Sequence, residues 1–485
     1  MKLRAMPFSS PTGLLLLPWA ALTGFALRTG PYGLTEEGSK ALLLAWSVGE
    51  QIASAVFTLG APDIRVIFFL PLGFLWPGQV IAAKLLTLLI MTGAGVSLYS
   101  WRARDDQAEA ALLATGLLLI APLTVDSIDS LAAAPFLLAI CGAASWLNRM
   151  LSRERGTLGG WFFAQMLGCA AAVSLHPAGL AYPVILIFYW LAEPADRRDR
   201  QFALLGIPLV VALVLIMRAG WTEVVWGQNP LPSAAAVFGG RRPEDTLSSA
   251  AWLGGAALIA LTAAVAFHER KRLMADLTGG TLLLGVLFGA VAADRTWALL
   301  MLALLLYGGF PWLLRACAPL AGRGLLVQRG WLWVLLVLIC TAFLRVDKSD
   351  FEAGRRNLLS AEDELISDFA AGINGLHNGA TEPGQAAAIL VASPWPARTS
   401  IACKCAALPL PPAAKDPASQ LAMMRGISYI ILSDNIDNRP LASNFSQLGS
   451  RIEVLSKQPG GVILHVKPPR AESATGSVAG TPLPL

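Results

Sequence analysis

Charged side chains are scarce in this sequence. Only 14% of its 485 residues are Asp, Glu, Lys or Arg, whereas 55% are hydrophobic. A soluble domain normally carries about 25% charged residues, so this chain has too little charge to cover a water-exposed surface. The composition therefore predicts a polytopic membrane protein. No dense basic patch interleaved with aromatic residues is present either, which argues against nucleic acid as a partner.

The sequence also lacks the common motifs of soluble enzymes. It contains no P-loop, no G-x-G-x-x-G, no H-E-x-x-H and no G-x-S-x-G, which argues against ATP-driven, dinucleotide-dependent and protease chemistry. Cysteine is rare, and Cys403 and Cys405 form a lone C-x-C without a second Cys or His cluster. We predict no metal site there, and we expect either free thiols or a strained disulfide.

About eleven apolar runs approach the length of roughly 20 residues that a membrane-spanning helix needs. Their approximate cores are 12–27, 79–100, 108–124, 130–148, 159–175, 178–192, 202–217, 247–267, 276–293, 296–314 and 330–344. No clear cleavage site follows the first run, so we interpret that run as a retained anchor. Residues 1–345 are therefore predicted to form an all-α polytopic membrane domain.

The basic loops predict the orientation of the chain. With a cytoplasmic N-terminus, every short basic loop falls on one side, as the positive-inside rule requires. These loops are 102–106, 148–155, 196–200, 268–272 and the segment holding Arg315, Arg323 and Arg329. We therefore expect a multi-pass protein of a bacterial plasma (inner) membrane. The first outward loop, 28–78, and the C-terminal domain would lie on the periplasmic or extracellular side.

The outward segments have distinct patterns. Residues 36–58 have the spacing of an amphipathic interfacial helix, and 64–76 is too short to span, which favours a re-entrant or interfacial segment. Residues 346–467 read as a small extracytoplasmic α/β domain, in which a charged helical stretch is followed by strand, helix, strand and a hairpin turning at Pro-Gly-Gly. The last residues, 468–485, are rich in Pro, Gly, Ser, Thr and Ala and are predicted to be disordered.

The predicted topology places several polar side chains on the outer side, where carboxylates could act as general bases and Arg or His could hold a phosphate. These are Glu36, Glu37, Asp126, Asp129, His176, Arg241, Arg242, Glu244, Asp245, Asp294 and Arg295. Plainer explanations also exist. Thr35 could cap a helix whose dipole the two glutamates favour, and His176, before a proline, could cap a turn.

Five stretches give the chain a resemblance to a known superfamily. They are "TEEGSKALLLAWS", "APDIRVIFFLPLGFLW", "PGQVIAAKLLTLL", "AEAALLATGLLLIAPL…AAAPFLLAICGAASW" and "AAAVSLHPAGLAYPVILIFYWL". In this order they resemble the GT-C membrane glycosyltransferases, which include protein O-mannosyltransferases and the transferases that add aminoarabinose to lipid A. The resemblance covers roughly residues 10–200, and it extends to the remainder by architecture.

The resemblance implies an inverting transfer of a sugar from a polyprenyl-phosphate-linked donor to an acceptor on the outer side of the membrane. It implies membrane lipids as surroundings and no cofactor beyond the lipid-linked donor, while the need for a divalent metal stays open. The implied catalytic residues are Glu36, Glu37 and Asp129. The implied residues for substrate or lipid phosphate are Asp126, His176, Arg241, Arg242 and Arg295.

The sequence departs from the family pattern at three places. Glu36 stands where the family has Asp, and His176 lies near a position that is normally Lys. The family's acidic residue between the third and fourth spans usually lies nearer the helix start than Asp129 does, and the aligned positions here are Ala. These departures keep a second hypothesis open. In that hypothesis the chain is a degenerate, non-catalytic GT-C-like subunit that scaffolds a complex with other membrane proteins.

Overall fold

The computed structural model describes most of the chain in two units. The described residues are 33–49, 64–103, 108–153, 159–192, 197–219, 249–274, 276–290, 294–309, 337–343, 345, 361–379, 389–434, 439–448, 451–458 and 460–467. Residues 1–360 form one compact unit and residues 361–485 the other. The predicted first span, Arg241, Arg242 and the tail 468–485 lie outside the described residues.

The described part of the first unit is helical. Its helices are α1 (Glu36–Gly49), α2 (Arg65–Leu75), α3 (Val80–Arg102), α4 (Ala108–Ile120), α5 (Pro122–Asp129), α6 (Ala134–Arg153), α7 (Gly159–Leu175), α8 (Ala181–Ala192), α9 (Arg197–Ala219), α10 (Ser249–Met274), α11 (Leu277–Gly289) and α12 (Arg295–Leu304). A short 3₁₀ turn, Pro177–Leu180, precedes α8, and a π-helical turn, Leu305–Gly309, follows α12. These helices occur at most of the apolar runs that the sequence predicts as spans.

Length and composition single out fewer spans than the eleven predicted. Among the described residues, α3 is long and apolar enough to cross a membrane, and α4 with α5 would be a second span if the two are counted as one. Seven further apolar helical segments in those residues, some of them parts of longer helices, have 10–17 residues each. The exposed side chains of Leu89, Phe163 and Leu205, each about two-thirds exposed or more, suit contact with lipid better than contact with water.

The predicted span 108–124 is interrupted near its end. Pro122 is the first residue of α5, and Ala121 before it is extended, with φ −64° and ψ 135°. A residue preceding proline is disfavoured from helical geometry, so α4 ends at Ile120 and α5 leaves it at an angle of 51°. A short helix, α5, therefore follows the bend, and it carries two of the sequence-predicted site residues, Asp126 and Asp129.

Helices α1 and α2 pack so closely that a glycine is required at their contact. A Cβ atom at Gly73 would lie 2.1 Å from the carbonyl oxygen of Ala45, far inside van der Waals contact. Phe69, fully buried on α2, also packs edge-on against Phe136 of α6 with ring centroids 5.8 Å apart. The predicted interfacial segment 64–76 is thus a short helix held against α1 and α6.

The second unit contains a five-stranded sheet in the order β2-β1-β3-β5-β4. In chain order its elements are α13 (Ala361–Gly379), β1 (Leu390–Ser393), α14 (Pro396–Cys403), β2 (Ala406–Pro409), α15 (Pro417–Met423), β3 (Tyr429–Ser433), α16 (Arg439–Gln447), β4 (Ile452–Gln458) and β5 (Gly461–Val466). Strands β1, β2 and β3 pair in parallel, whereas β5 pairs antiparallel with β3 and β4. The predicted strands, helix and hairpin are present.

Three elements of this unit, α14, β2 and α16, were not predicted from the sequence. Between α14 and β2 the chain turns at Lys404, whose φ of +52° lies in the left-handed region. The two flanking cysteines, Cys403 and Cys405, form a disulfide. Of the two alternatives that the sequence left open for this C-x-C, the structure therefore contains the disulfide.

Candidate functional site

The start of α1 is fixed to the turn between α5 and α6. The Thr35 amide N–H donates to the carbonyl oxygen of Ser130 at 2.9 Å, and the Thr35 hydroxyl donates to the same oxygen at 3.0 Å. The hydroxyl oxygen also accepts the Gly38 amide N–H at 3.1 Å. Thr35 is therefore the helix cap that the sequence predicts, and it also anchors the helix to a distant part of the chain.

The two adjacent glutamates have different environments. Glu36 is the first residue of α1, its side chain is 15% exposed, and its Oε1 lies 3.9 Å from Nζ of Lys40 one turn later. Glu37 is exposed. Both carboxylates lie in the first turn, where the helix dipole favours negative charge. Glu36 is therefore the more enclosed carboxylate of the pair, at the end of α1 that meets the α5–α6 turn.

Asp129, predicted from the resemblance to be catalytic, lies in a buried ion pair. Its Oδ1 accepts a hydrogen bond from Nζ of Lys84 at 2.7 Å, and the Asp129 and Lys84 side chains are 3% and 1% exposed. A substrate would reach this carboxylate only if the pair were opened. The geometry favours a role for Asp129 in fixing the end of α5 to α3.

A second ion pair joins α5 to the start of α12. Nη1 of Arg295 lies 2.8 Å from Oδ2 of Asp126, and these side chains are 36% and 24% exposed. Unlike the pair of Lys84 and Asp129, this pair is accessible to solvent. The guanidinium of Arg295 has the planar set of donors that suits a phosphate.

His176 and Asp294 form a third polar contact beside the second pair. Asp294 caps α12 by accepting the Trp297 amide N–H at 2.9 Å, and its other oxygen lies 3.1 Å from Nε2 of His176. Because Nδ1 of His176 accepts the Ala178 amide N–H, Nε2 carries the hydrogen and donates to Asp294. His176 thus caps the 3₁₀ turn, as one explanation of the sequence expects.

The environment of Asp294 favours its charged form. Partial burial alone would raise the pKa of Asp294, but the hydrogen bond and electrostatic interaction with His176, together with the Trp297 amide, outweigh burial and lower that pKa below its ordinary value. Asp294 therefore stays ionised at neutral pH and holds His176 in place.

Helix α5 connects these contacts. Arg295 binds Asp126 and Thr35 binds Ser130, which are four residues apart, or about 6 Å along a helix axis. Asp126, Asp129, Arg295 and the start of α1 with Glu36 thus all meet α5 or its end, and His176 joins them through Asp294, the neighbour of Arg295. Within the ranges the structure describes, no group of three or more His, Cys, Asp or Glu side chains could hold a metal ion.

Two basic residues of this region were not among the predicted site residues. Lys84 pairs with Asp129, and Nη1 of Arg65 donates to the carbonyl oxygen of Leu131 at 2.7 Å while its side chain is buried. Each stands alone as a basic residue in an apolar run of the sequence. An ionisable residue in such a run is a functional candidate by default, and that signal could have identified both.

No protein-family model matches the chain, and no curated protein sequence matches it either. Several solved structures, in contrast, match the chain. The chain is similar to the oligosaccharyltransferase of Archaeoglobus fulgidus tethered to an acceptor peptide with the NVT sequon, with a TM-score of 0.53 and 12% identity over 88% of this chain and 69% of that one. The chain has the GT-C fold. The GT-C resemblance predicted from the sequence is therefore confirmed at the level of the fold.

Two other structures with the GT-C fold are similar to this chain. One is the archaeal oligosaccharyltransferase AglB, also from Archaeoglobus fulgidus, with an inhibitory peptide and a dolichol-phosphate, at TM-score 0.52 and 12% identity over 88% of this chain and 70% of that one. The other is ArnT from Cupriavidus metallidurans bound to undecaprenyl phosphate, at TM-score 0.49 and 12% identity over 94% and 98% of the two chains. The GT-C fold is that of multi-pass integral membrane proteins. The bacterial membrane and the orientation of the chain stay predictions.

Proposed function

We propose that this protein is a membrane glycosyltransferase that moves a sugar from a polyprenyl-phosphate-linked donor to an acceptor on the outer side of the membrane. One observation carries the proposal. The cap of the acidic helix α1 and the guanidinium of Arg295 are both attached to α5, at positions about one helical turn apart. A carboxylate for the acceptor and a cation for the donor phosphate can therefore serve one substrate complex.

The fold supports the same proposal. The archaeal oligosaccharyltransferase that shares it has been seen with a dolichol-phosphate and with peptides. In this chain, Arg295 is the described residue best placed to hold the lipid phosphate, with Asp126 orienting it, and we assign His176 to the same phosphate on condition that its Nε2 hydrogen turns from Asp294 to the phosphate. We assign Arg241 and Arg242 to the same phosphate on the basis of the sequence alone.

The proposed reaction needs one base and one stabilised leaving group. Glu36 accepts the proton of an acceptor hydroxyl or amine, whose oxygen or nitrogen forms a bond to the anomeric carbon. The bond between that carbon and the phosphate oxygen breaks, and the electron pair leaves with the lipid phosphate. Arg295 stabilises the charge that develops there, joined by His176 when its Nε2 hydrogen is transferred from the contact with Asp294 to a contact with the phosphate. Attack opposite the leaving group inverts the anomeric centre, and Glu37 supports the loop.

The substitution Glu36→Gln tests the proposal because it keeps size and hydrogen bonding while removing the charge. Transfer from a polyprenyl-phosphate sugar to added acceptor should fall by about 10²–10⁴, as expected for loss of a general base. Glu364→Gln, at a first-turn glutamate of α13, is the matched control and should leave transfer unchanged. If Glu36→Gln keeps near-full activity in folded protein, the carboxylate only supports the helix.

The buried pair of Asp129 and Lys84 favours the second candidate function, a non-catalytic GT-C-like subunit. In that case one acidic residue of the family pattern has become part of the packing. Absence of transfer by the unmodified protein, with several lipid-linked sugars, would support this candidate. Purification together with another membrane protein would support it further.

A further inference from the structure

The turn formed by Ser130 and Leu131, here named the 130–131 turn, is held from three directions. Thr35 donates twice to the carbonyl of Ser130, and Arg65 donates to the carbonyl of Leu131. Asp129, immediately before the turn, is fixed to α3 by Lys84. The first outward loop thus meets the bundle at two consecutive carbonyl groups.

The backbone of this turn is itself constrained. Leu131 has a φ of +55°, in the left-handed region that a leucine rarely adopts. Such a conformation persists when its surroundings determine it. Here Leu131 is fully buried, and its carbonyl accepts the buried Arg65 guanidinium.

Gly38 brings α1 into direct contact with the same turn. A Cβ atom at Gly38 would lie 2.8 Å from both Cβ and the carbonyl oxygen of Leu131, and 2.9 Å from the Thr35 hydroxyl oxygen. These distances are shorter than real Cβ contacts, so any larger residue must push α1 away from the turn. Gly38 is two residues after Glu36, and a displacement there changes where the Glu36 carboxylate points.

We propose that the 130–131 turn is a clasp that positions the acidic start of α1, with Thr35, Arg65 and Gly38 as its positioning residues. The catalytic consequence rests on the proposed function, whereas the attachment itself does not. Lys84 and Asp129 act behind the clasp, because they fix the end of α5 on which the turn is built. A capping role for Thr35 alone would give no reason for a glycine at 38 or for Arg65.

The test is the substitution Gly38→Ala with Gly93→Ala as its matched control. Both glycines lie in helices of the same unit, but an added Cβ at Gly93 meets nothing within 4 Å. Alanine normally favours a helix over glycine, so a purely local role for Gly38 predicts unchanged or slower amide exchange. The clasp predicts that exchange in residues 33–40 becomes about tenfold faster, with exchange in α3 unchanged and with no change in Gly93→Ala.

Activity separates the clasp from the proposed function. With an active parent protein, Gly38→Ala should lower kcat by about 10–100-fold, because a displacement near 1 Å can cost about that much. KM for the lipid-linked donor should stay within about twofold, because its phosphate is held by other residues. Unchanged exchange would overturn the clasp, and so would faster exchange with an unchanged kcat. If the parent protein has no transfer activity but Gly38→Ala still speeds exchange in residues 33–40, the clasp is supported and the proposed function is rejected.

A second substitution keeps the test decisive if Gly38→Ala does not fold. Thr35→Val removes two hydroxyl hydrogen bonds, to Ser130 and to Gly38, and should speed exchange in residues 33–40 by about 5–25-fold, the effect of one to two lost hydrogen bonds. Thr35→Ser retains the hydroxyl and should restore both exchange and kcat. If Thr35→Val and Thr35→Ser give the same exchange rates in residues 33–40 and the same kcat, the clasp is overturned.

Discussion

Removing Lys84 should destabilise the membrane unit far more than removing an ordinary lysine. Lys84→Met keeps most of the aliphatic length of the side chain but leaves Asp129 without its 2.7 Å partner in a site where both side chains are almost fully buried. Breaking a buried pair by removing one partner costs about 3–5 kcal/mol, because the remaining charge stays desolvated. The substitution therefore tests whether Asp129 is held as a structural anion.

The size of the effect can be stated for a thermal melt. Each kcal/mol lowers the Tm by about 2–4 °C in domains of 150–250 residues and by less in larger units. We therefore expect the Tm of Lys84→Met to fall by about 5–10 °C in detergent or nanodiscs. Lys40→Met is the control, because its pair with Glu36 spans 3.9 Å at a partly exposed site and is worth about 0.3–0.5 kcal/mol.

A double substitution separates charge from packing. Lys84→Met with Asp129→Leu removes both charges, and replacing a buried pair by apolar residues is often neutral or stabilising. The double variant should therefore recover most of the Tm that Lys84→Met loses, which is a coupling of more than about 2 kcal/mol. A Tm for Lys84→Met within about one degree of the parent would refute the reasoning, because Asp129 would then be satisfied without Lys84.

Three further predictions concern other parts of the chain. The pKa of Asp294 is lower in the folded protein than its ordinary value of 3.8. The contribution of Asp294 to stability is therefore fully present above pH 3.8 and is lost as the pH falls through the depressed folded-state pKa. Acidification below about pH 4 should lower the Tm of the parent more than the Tm of Asp294→Asn. Arg398→Met should lower both the Tm and the urea midpoint of the second unit, because Arg398 is nearly buried and its Nη2 donates to Asp363 at 2.6 Å. A Tm of Arg398→Met equal to that of the parent would contradict this. A cysteine at Arg470 should react with an impermeant maleimide in intact cells while one at Arg198 does not, and the reverse pattern would reject the predicted orientation.

The sequence predicts this fold well where hydrophobic runs and turn residues agree. The run 159–175 has the bounds of α7, and the Pro-Gly-Gly turn lies between β4 and β5 as expected. The hydrophobic pattern predicts one span over 108–124, although Pro122 lies within that run. Hydrophobicity alone does not register that a proline disfavours helical geometry in the residue before it. Short elements such as β2, only four residues long, carry too little pattern to be recognised.

The candidate site was predictable in its residue types but not in its pairings. Glu36, Asp126, His176 and Arg295 stand out in the sequence because they interrupt apolar segments on the predicted outer side. The resemblance assigns different roles to Asp126 and Asp129, but nothing in the sequence shows that these two residues, three apart on the same short helix, have different partners. The fold does distinguish them, since one pairs with a partly exposed arginine and the other with a buried lysine.

The bend at Pro122 explains how one short helix can serve so many partners. A continuous helix through residues 108–129 would carry Asp126 and Asp129 straight on along the axis of α4. Because α5 turns by 51°, its last turn and the following Ser130 meet α3, α12 and the cap of α1 together. Each of these three helices brings one polar group to α5: an ammonium, a guanidinium and a hydroxyl. The chemistry proposed here therefore depends on a proline that carries no chemistry itself, and the acidic helix α1 is positioned by carbonyl groups that the bend places within its reach.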